Sequence, residues 1–358
     1  MGGSSQVALH LGRALQRRRH QVLLVSGAAP FGHAAATDPP VRLLRHMPAL
    51  SPALPAGWAS HDIAGLTEEL AAILAGSGIE RVHFHYAHPF IQCAEGLRRR
   101  LGADCPPLIC TLHGTDIFDL PEPARVLTAT ALARLDAVTA VSHDLAARAA
   151  RLPDAPTPTV IPNFIDLAHL PPRATHAGPA RIIHVSNFRP IKQVPRLIEV
   201  FAAVAAATRA TLWLVGDGPD RAATLAAIAA HGLTDRIVWW GARTDVPQLL
   251  AQADIALLTS VYESFSLFAL EAMAASLPIV GFDVGGLREI VGRDGAGCLV
   301  PPHDTEALIQ ALISLVNDPI RRTRLGQQAR QAAERYAGAL IVPRYEALYQ
   351  RLAARPPP

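Results

Sequence analysis

Two glutamates and a helix N-terminus, close together in one short stretch, carry the clearest chemical signal in the sequence. Glu263 lies in a predicted loop, and Glu271 lies about one turn into a predicted helix over 266–276. The unpaired N–H groups at 264–267 suit a phosphate, because the positive end of the helix dipole lies there. A carboxylate at 271 can accept hydrogen bonds from both hydroxyls of a ribose, and one at 263 can reach a second ligand group. Together these groups predict a sugar-nucleotide site, although either glutamate alone would more simply be a helix cap or an exposed side chain.

The flanking pattern predicts a βαβ unit that presents these groups at one edge of a parallel sheet. The apolar run at 255–258 predicts a buried strand, Pro278 ends the helix, and 279–282 predicts the next strand. Ligand sites in such sheets lie at the carboxyl ends of the strands, which is where this unit places both glutamates.

This stretch resembles the retaining nucleotide-sugar glycosyltransferases of the GT-B fold, of the glycosyltransferase family 4 type. Their signature is two glutamates separated by seven residues, which Glu263 and Glu271 match. The resemblance implies an α/β protein of two doubly wound, Rossmann-like domains facing a cleft. It also implies that the first glutamate contacts the donor sugar and the second the ribose. The family usually has glycine at position 266, where this chain has Ser266, whose side chain needs room if its amide is to approach a phosphate.

The composition indicates a protein with two ordinary globular domains. Of its 358 residues, 50% are hydrophobic and 18% are charged, and the net charge is +3. Arginine runs at 17–19 and 98–100 are interpreted as helix ends, because aromatic residues are few and do not interleave with them. The sequence shows neither a signal peptide nor an apolar run of the roughly 18 residues that span a bilayer. We therefore expect a cytoplasmic protein with no nucleic-acid partner and no stable membrane insertion.

The amino-terminal part predicts a Rossmann-like domain over residues 1–165 with an unusual beginning. Residues 2–5 (Gly-Gly-Ser-Ser) lead directly into a predicted helix over 6–19, and 21–26 predicts a strand. In a doubly wound fold, a Gly-rich loop of this kind normally follows the first, central strand. We therefore expect the first strand of this domain to be missing, which would expose apolar faces and unpaired backbone groups.

Two strands of this domain end in residues that suit a ligand. One ends at Tyr86 and places His83 and His85 on the same face. A His-x-His pair can bind a metal, but no carboxylate or cysteine lies nearby, so packing or the polar lining of a cleft is favoured. The strand at 107–112 is followed by residues 113–116 (His-Gly-Thr-Asp), which suit a ligand or form a plain turn. The four cysteines of the chain have no zinc-like spacing and are expected to be reduced thiols.

The carboxyl-terminal part predicts a second Rossmann-like domain over 178–340, after an interdomain linker at about 165–178. The amphipathic terminal helix, within 341–358, is expected to pack back on the first domain.

Arg189 and Lys192 lie at a strand-to-helix junction of the second domain. A pair of cations there suits an anionic leaving group, although such side chains are more often simply exposed. The run 216–218 (Gly-Asp-Gly) is a weak dinucleotide signal, and Arg221 stands where its third glycine belongs, so an NAD site is not expected.

Five stretches are similar, in the same order, to one branch of this glycosyltransferase family. They are residues 2–4, 83–87, 111–117, 161–166 and 184–192. Members of the branch transfer N-acetylglucosamine from UDP-N-acetylglucosamine to the hydroxyl of L-malate, the first step of bacillithiol biosynthesis. The resemblance implies these two small molecules as substrates and retention of the anomeric configuration.

The resemblance also implies a role for each matching residue. The catalytic residues would be His113, Arg189, Lys192 and Glu263. The donor-binding residues would be Gly3, Asn187, Ser264, Phe265, Ser266, Leu267 and Glu271. The acceptor-binding residues would be Ser4, Tyr86, Thr115 and Asn163. Gln193 is a departure, since the family often has arginine there.

The implied mechanism uses no enzymic nucleophile. Charge on the departing β-phosphate would be stabilised by Arg189, Lys192 and the N–H groups at 264–267, each such donor being worth roughly 2.7–4 kcal/mol. Because two fixed cations would replace a divalent metal, neither a metal nor a cofactor is expected.

Three other functions remain open at this stage. One is a GT-B transferase with a different acceptor, such as a lipid or a polysaccharide. The second is a catalytically inactive GT-B homologue that serves as a binding or scaffold subunit, to which Ser266 and the missing first strand point. The third is a sugar-nucleotide epimerase of the same architecture. The oligomeric state is also open, with a homo-oligomer among the alternatives.

Overall fold

The computed structural model describes residues 3–46, 60–118, 120–174, 176–292 and 295–353. The chain divides into two compact units. The first unit comprises Met1–Asn163 and Ala339–Pro358, and the second comprises Phe164–Gly338.

The segment that was expected to link two domains, at 165–178, belongs to the second unit. Its backbone is held there, since Ala174 N–H donates to Ala251 O over 2.8 Å. The buried carboxylate of Asp254 lies 3.3 Å from Arg173 Nη2 and 2.9 Å from His176 Nε2. A buried carboxylate is stabilised by such partners. The described part of this polar, Pro-containing run therefore packs on the second unit, which supplies Asp254.

The first unit consists of short parallel strands and flanking helices. Its helices are α1 (Gly3–Arg17), α2 (Ser60–Leu74), α3 (Ala94–Leu101), α4 (Glu122–Leu132), α5 (His143–Ala149) and, at the end of the chain, α13 (Gly338–Ala353). Its strands are β1 (Leu24–Ser26), β2 (Val41–Leu43), β3 (Val82–His85), β4 (Leu108–Leu112), β5 (Ala137–Ala140) and β6 (Thr159–Val160).

These strands form two parallel sheets. One pairs β1 with β2, and the other has the order β3-β4-β5-β6, with no ladder between the two sheets among the described residues. Every residue of β4 is buried, as expected for a central parallel strand that is apolar except at Thr111. Helix α13 packs on this unit, where Tyr349 OH lies 2.7 Å from His83 Nδ1 and Glu346 pairs with Arg18 over 2.7 Å.

The expected Gly-rich loop at the start of the chain is wrong for the residues that can be described. Helix α1 already begins at Gly3, so Gly3 and Ser4 lie in its first turn, while Gly2 lies outside the described residues. The first N–H groups of a helix have no intrahelical partner, so weak helix formers are tolerated there.

The second unit is one six-stranded parallel sheet with helices between the strands. Its helices are α6 (Val194–Ala207), α7 (Arg221–Ala230), α8 (Val246–Leu250), α9 (Leu267–Ala274), α10 (Leu287–Val291), α11 (Thr305–Asn317) and α12 (Pro319–Glu334). Its strands are β7 (Arg181–Val185), β8 (Thr211–Val215), β9 (Ile237–Gly241), β10 (Ile255–Leu258), β11 (Ile279–Phe282) and β12 (Gly297–Val300).

The strand order is β12-β11-β10-β7-β8-β9. The order reverses at β7, so the loops after β7 and β10 leave the same carboxyl edge side by side, at the switch point where open α/β sheets bind ligands. Strands β10 and β11 are buried throughout and coincide with the predicted strands at 255–258 and 279–282. The apolar faces of α6 and α11 complete the core on one side of this sheet.

None of the helices in the described ranges combines the length and the apolar character that crossing a membrane requires.

Candidate functional site

The N-terminus of α9 lies at the carboxyl end of β10, as the sequence predicts. Ser266 caps the helix, and its Oγ accepts a hydrogen bond from Ala269 N over 3.3 Å. The backbone of Ser266 has φ 74° and ψ 93°, a conformation that glycine adopts far more readily than other residues. The position that the resemblance assigns to glycine therefore keeps a glycine-like backbone, and the serine hydroxyl is used as a cap.

Glu263 is buried rather than exposed. It is 5% exposed, and its Oε1 lies 2.7 Å from Lys192 Nζ and 2.7 Å from Ser260 Oγ. Its backbone carbonyl also accepts a hydrogen bond from Gly286 N–H over 2.7 Å. An ion pair with hydrogen bonds to the same oxygen offsets the cost of burying this carboxylate. The structure thus joins two of the predicted catalytic residues.

The loop between β7 and α6 carries Asn187, Arg189 and Lys192. Arg189 is partly exposed and forms no ion pair with any described residue. The Gly-Asp-Gly run at 216–218 packs against this loop. A Cβ added at Gly216 would lie 1.8 Å from the Ser186 carbonyl oxygen, so close packing of backbone explains this glycine without a dinucleotide.

Glu271 lies in the second turn of α9 and is partly buried. The surrounding protein raises the pKa of its carboxyl from 4.5 to about 7, because burial disfavours the charged form. Phe265, by contrast, turns its ring inward, where it packs edge-on against Tyr336. Phe265 can therefore reach a donor only through its backbone.

In the first unit, three predicted residues meet at the carboxyl ends of β3 and β4. Tyr86 OH lies 3.1 Å from Thr115 Oγ1, and His113 Nε2 lies 3.2 Å from His85 Nδ1. Asp116 holds this group together. Its buried carboxylate accepts hydrogen bonds from the N–H groups of His113, Gly114 and Ala87, which ties the loops after the two strands to each other.

The histidines of β3 belong to a polar network below this group. The rings of His83 and His85 have centroids 4.3 Å apart, and His83 Nε2 lies 2.7 Å from Thr111 Oγ1. Burial lowers the pKa of His85 to about 4 and lowers that of His113 well below its ordinary value. No group of three or more histidine, cysteine, aspartate or glutamate side chains in the described ranges is arranged to hold a metal. The contact between the rings of His83 and His85 agrees with packing, one of the two interpretations that the sequence favours for the His-x-His pair.

The remaining predicted residues of the first unit are Gly3, Ser4 and Asn163. Gly3 and Ser4 are in the first turn of α1, as described above. Asn163 is 5% exposed at the end of the first unit, and its buried Oδ1 has no hydrogen-bond partner among the described residues.

Sequence reasoning missed three residues that hold the site. Asp116 was noted only as the end of a motif, and Ser260 and His184 were not singled out for a role. His184 interrupts the apolar pattern of β7, and a buried polar residue of this kind is the signal that would have found it.

Comparison with known proteins identifies the family. Residues 1–169 match the family model described as Glycosyltransferase Family 4, and residues 179–318 match the one described as Glycosyl transferases group 1. The chain is 31% identical to N-acetyl-alpha-D-glucosaminyl L-malate synthase of Bacillus anthracis, with 98% of this chain and 94% of that protein covered. The protein is a family 4 glycosyltransferase. The predicted family and its enzymatic class are thereby confirmed.

Solved structures resemble this glycosyltransferase along its whole length. Sucrose-phosphate synthase from Thermosynechococcus elongatus superimposes with a TM-score of 0.81 at 22% identity, covering 99% of this chain and 94% of that one. HepE of Anabaena, solved in complex with UDP and glucose, gives a TM-score of 0.79 at 19% identity, covering 98% of this chain and 96% of that one. At these identities the likeness concerns the fold, and it confirms the predicted GT-B class with two Rossmann-like units.

Proposed function

We propose that this glycosyltransferase transfers N-acetylglucosamine from UDP-N-acetylglucosamine to the hydroxyl of L-malate, with retention of configuration. The observation that carries the proposal is the match to the Bacillus anthracis synthase, which extends over 98% of the chain and so includes both units. The geometry of each unit supports it in a separate way.

The second unit has the parts of a sugar-nucleotide site. The N–H groups at the start of α9 and the side chains of Arg189 and Lys192 suit the diphosphate. Glu271 suits the ribose hydroxyls, and Glu263 suits a hydroxyl of the transferred sugar. Because Glu263 already pairs with Lys192 over 2.7 Å, the sugar contact and the phosphate contact are held at a fixed separation before the donor binds.

These residues would act on the leaving group. When the bond between the anomeric carbon and the β-phosphate oxygen breaks, negative charge grows on UDP. Arg189, Lys192 and the α9 N-terminus would stabilise that charge, each donor being worth roughly 2.7–4 kcal/mol. The malate hydroxyl would attack from the face that UDP leaves, and the departing phosphate would take its proton. We expect the reaction to proceed without a metal, because these fixed positive groups supply the neutralising charge.

The first unit would bind the acceptor. Tyr86 and Thr115 offer adjacent hydroxyls, and Ser4 and Asn163 are the further acceptor residues we propose. Asn163 has a buried amide oxygen to satisfy, which suits a polar ligand. His113, whose ring is braced by His85, would face the transferred sugar.

The test is UDP release from UDP-N-acetylglucosamine, measured with L-malate, with succinate, and without acceptor, each in the presence and in the absence of EDTA. Succinate is the matched control, since it has the two carboxylates of malate but no hydroxyl to glycosylate. We expect release only with L-malate, and an α-configured product by NMR.

Other results would overturn the proposal. Tight UDP binding without malate-dependent release would indicate a glycosyltransferase with another acceptor. Absence of UDP binding would indicate an inactive homologue. Malate-dependent release that EDTA abolishes would refute the metal-free mechanism alone.

A further inference from the structure

One buried histidine of the second unit bonds to the two segments that lead into the Lys192 loop and the Glu263 loop. His184, in β7, is 1% exposed. Its Nδ1 lies 2.9 Å from the Leu257 carbonyl oxygen of β10, and its Nε2 lies 2.8 Å from Ser186 Oγ. Both ring nitrogens are therefore used, one toward the neighbouring strand β10 and the other toward Ser186, the residue that follows β7.

The partners determine the direction of these hydrogen bonds. The Leu257 carbonyl can only accept, so Nδ1 of His184 carries the proton. Nε2 must then accept the hydroxyl proton of Ser186, whose Oγ in turn accepts from Phe188 N–H over 3.3 Å. The result is one directed chain from Phe188 through Ser186 and His184 to Leu257. Burial lowers the pKa of His184 to about 4, which keeps the ring in the neutral form that the chain requires.

This chain of hydrogen bonds connects the two segments that lead to the ion pair of the candidate site. The loop that Ser186 and Phe188 begin carries Lys192, and β10 leads into the loop that carries Glu263. The ring of His184 also meets Phe268, in the first turn of α9, edge-on at 5.8 Å. The charged groups that act on His184 are Lys192 and Glu263 themselves.

We propose that His184 is a positioning residue for glycosyl transfer, which sets the cation loop at residues 186–193 by accepting the hydroxyl proton of Ser186, while its bond to the Leu257 carbonyl fixes the tautomer that leaves Nε2 free to accept. This inference rests on the proposed function, in which Lys192 and Glu263 contact the donor. A histidine that only filled space would not need both nitrogens bonded, and it would affect stability without a selective effect on turnover.

Two variants, each with an amide near the position of one ring nitrogen, distinguish a positioning role from a space-filling role. In His184→Asn, the side-chain amide lies near the position of Nδ1. This variant keeps the hydrogen bond to the Leu257 carbonyl and loses the hydrogen bond from the Ser186 hydroxyl. In His184→Gln, the amide reaches the position of Nε2, so its oxygen accepts from Ser186 while the bond to Leu257 is lost. Each variant removes one buried hydrogen bond, and we expect similar losses in Tm. Ser186→Ala breaks the same link as His184→Asn from the other side.

The experiment measures kcat and KM for UDP-N-acetylglucosamine with L-malate, together with Tm, for the native enzyme and the three variants. We expect kcat to fall by about 100-fold in His184→Asn and in Ser186→Ala, because small misplacements of reacting groups cost on the order of that factor. His184→Gln should retain kcat within about fivefold, although its Tm falls as far. Equal kcat for the two His184 variants, or kcat that follows Tm across the set, would overturn the proposal.

The native enzyme distinguishes failure of this inference from failure of the proposed function. If it releases no UDP with malate, the proposed function fails, and His184 is judged by the ratio of UDP affinity to uridine affinity. That ratio should fall about tenfold in His184→Asn and in Ser186→Ala, because the diphosphate contacts lose their alignment. The ratio should stay unchanged in His184→Gln. An unchanged ratio would reject the positioning role. If His184→Asn does not fold, Ser186→Ala gives the same comparison.

Discussion

Glu271 should make the enzyme without substrate less stable as the pH rises. Burial raises the pKa of this carboxyl from 4.5 to about 7 in the folded protein. Between these two pH values the folded state therefore binds a proton that the unfolded state has lost. By linkage, the free energy of unfolding falls as the pH rises through this window and stays low above it.

The size of the effect follows from the two pKa values. The interval from 4.5 to about 7 corresponds to about 3 kcal/mol at about 1.4 kcal/mol per pH unit. Between pH 5 and pH 8 the expected change is roughly 2 to 3 kcal/mol. Glu271 keeps some exposure to solvent, so this figure is an upper value. In Glu271→Gln the ionisation is removed at nearly constant volume, so the variant should gain that stability relative to the native enzyme.

The assay is urea unfolding at pH 5, 6, 7 and 8, followed by tryptophan fluorescence. Three of the four tryptophans, Trp213, Trp239 and Trp240, lie in the second unit, so the signal reports mainly on the unit that contains Glu271. Glu199→Gln, at an exposed position of α6, is the matched control and should show no such gain. A difference between Glu271→Gln and the native enzyme that stays constant with pH would refute the reasoning.

The same ionisation should control donor binding. Ribose hydroxyls need a carboxylate that accepts both hydrogen bonds, and the ionised fraction of a group with a pKa of about 7 rises about tenfold between pH 6 and pH 8. The affinity for UDP-N-acetylglucosamine should rise by the same factor, because its diphosphate diester has no ionisation in this range. An affinity that is independent of pH would exclude Glu271 as the ribose ligand.

Three further substitutions test the site. Ser266→Gly should raise the free energy of unfolding by about 1 kcal/mol, because relief of the positive φ outweighs the lost cap; a decrease in urea titration would contradict it. Lys192→Met should lower stability by about 3 kcal/mol by leaving the Glu263 carboxylate buried and unpaired, and adding Glu263→Gln should recover most of the stability but none of the kcat. Gly216→Ala should weaken UDP-N-acetylglucosamine binding in calorimetry, because a Cβ there meets a backbone oxygen at 1.8 Å. The control is Gly232→Ala, at a position with a positive φ but open space, which should leave binding unchanged.

The βαβ unit that carries the two glutamates could be predicted because its signal is local. The apolar runs at 255–258 and 279–282 are the observed strands, and the helix between them ends at Ala274, before Pro278. Parallel strands place their carboxyl ends on one edge, so the location of the helix N-terminus also followed. The family signature lies within the same stretch, which is why the fold class and the family could be inferred together.

Other features depend on partners that are distant in sequence. Glu263 and Lys192 are 71 residues apart, and nothing near either one indicates that they pair. His184 likewise meets Leu257 across 73 residues of chain. The expected loop at Gly3 was wrong because residues of low helix propensity are tolerated in a first helical turn, which local propensity alone does not reveal.

The sequence by itself determined the strands, the helix start at 264–267 and the residue types that suit a sugar nucleotide, because these follow from hydrophobic period, proline and helix-end chemistry. Tertiary structure alone decided which ionisable side chains are buried and which loops are held together. It buried Glu263 against Lys192, raised the pKa of Glu271 and used both nitrogens of His184. Burial and hydrogen-bond geometry depend on which strands lie side by side, and the order β10-β7-β8 that brings these residues together is a property of the folded sheet.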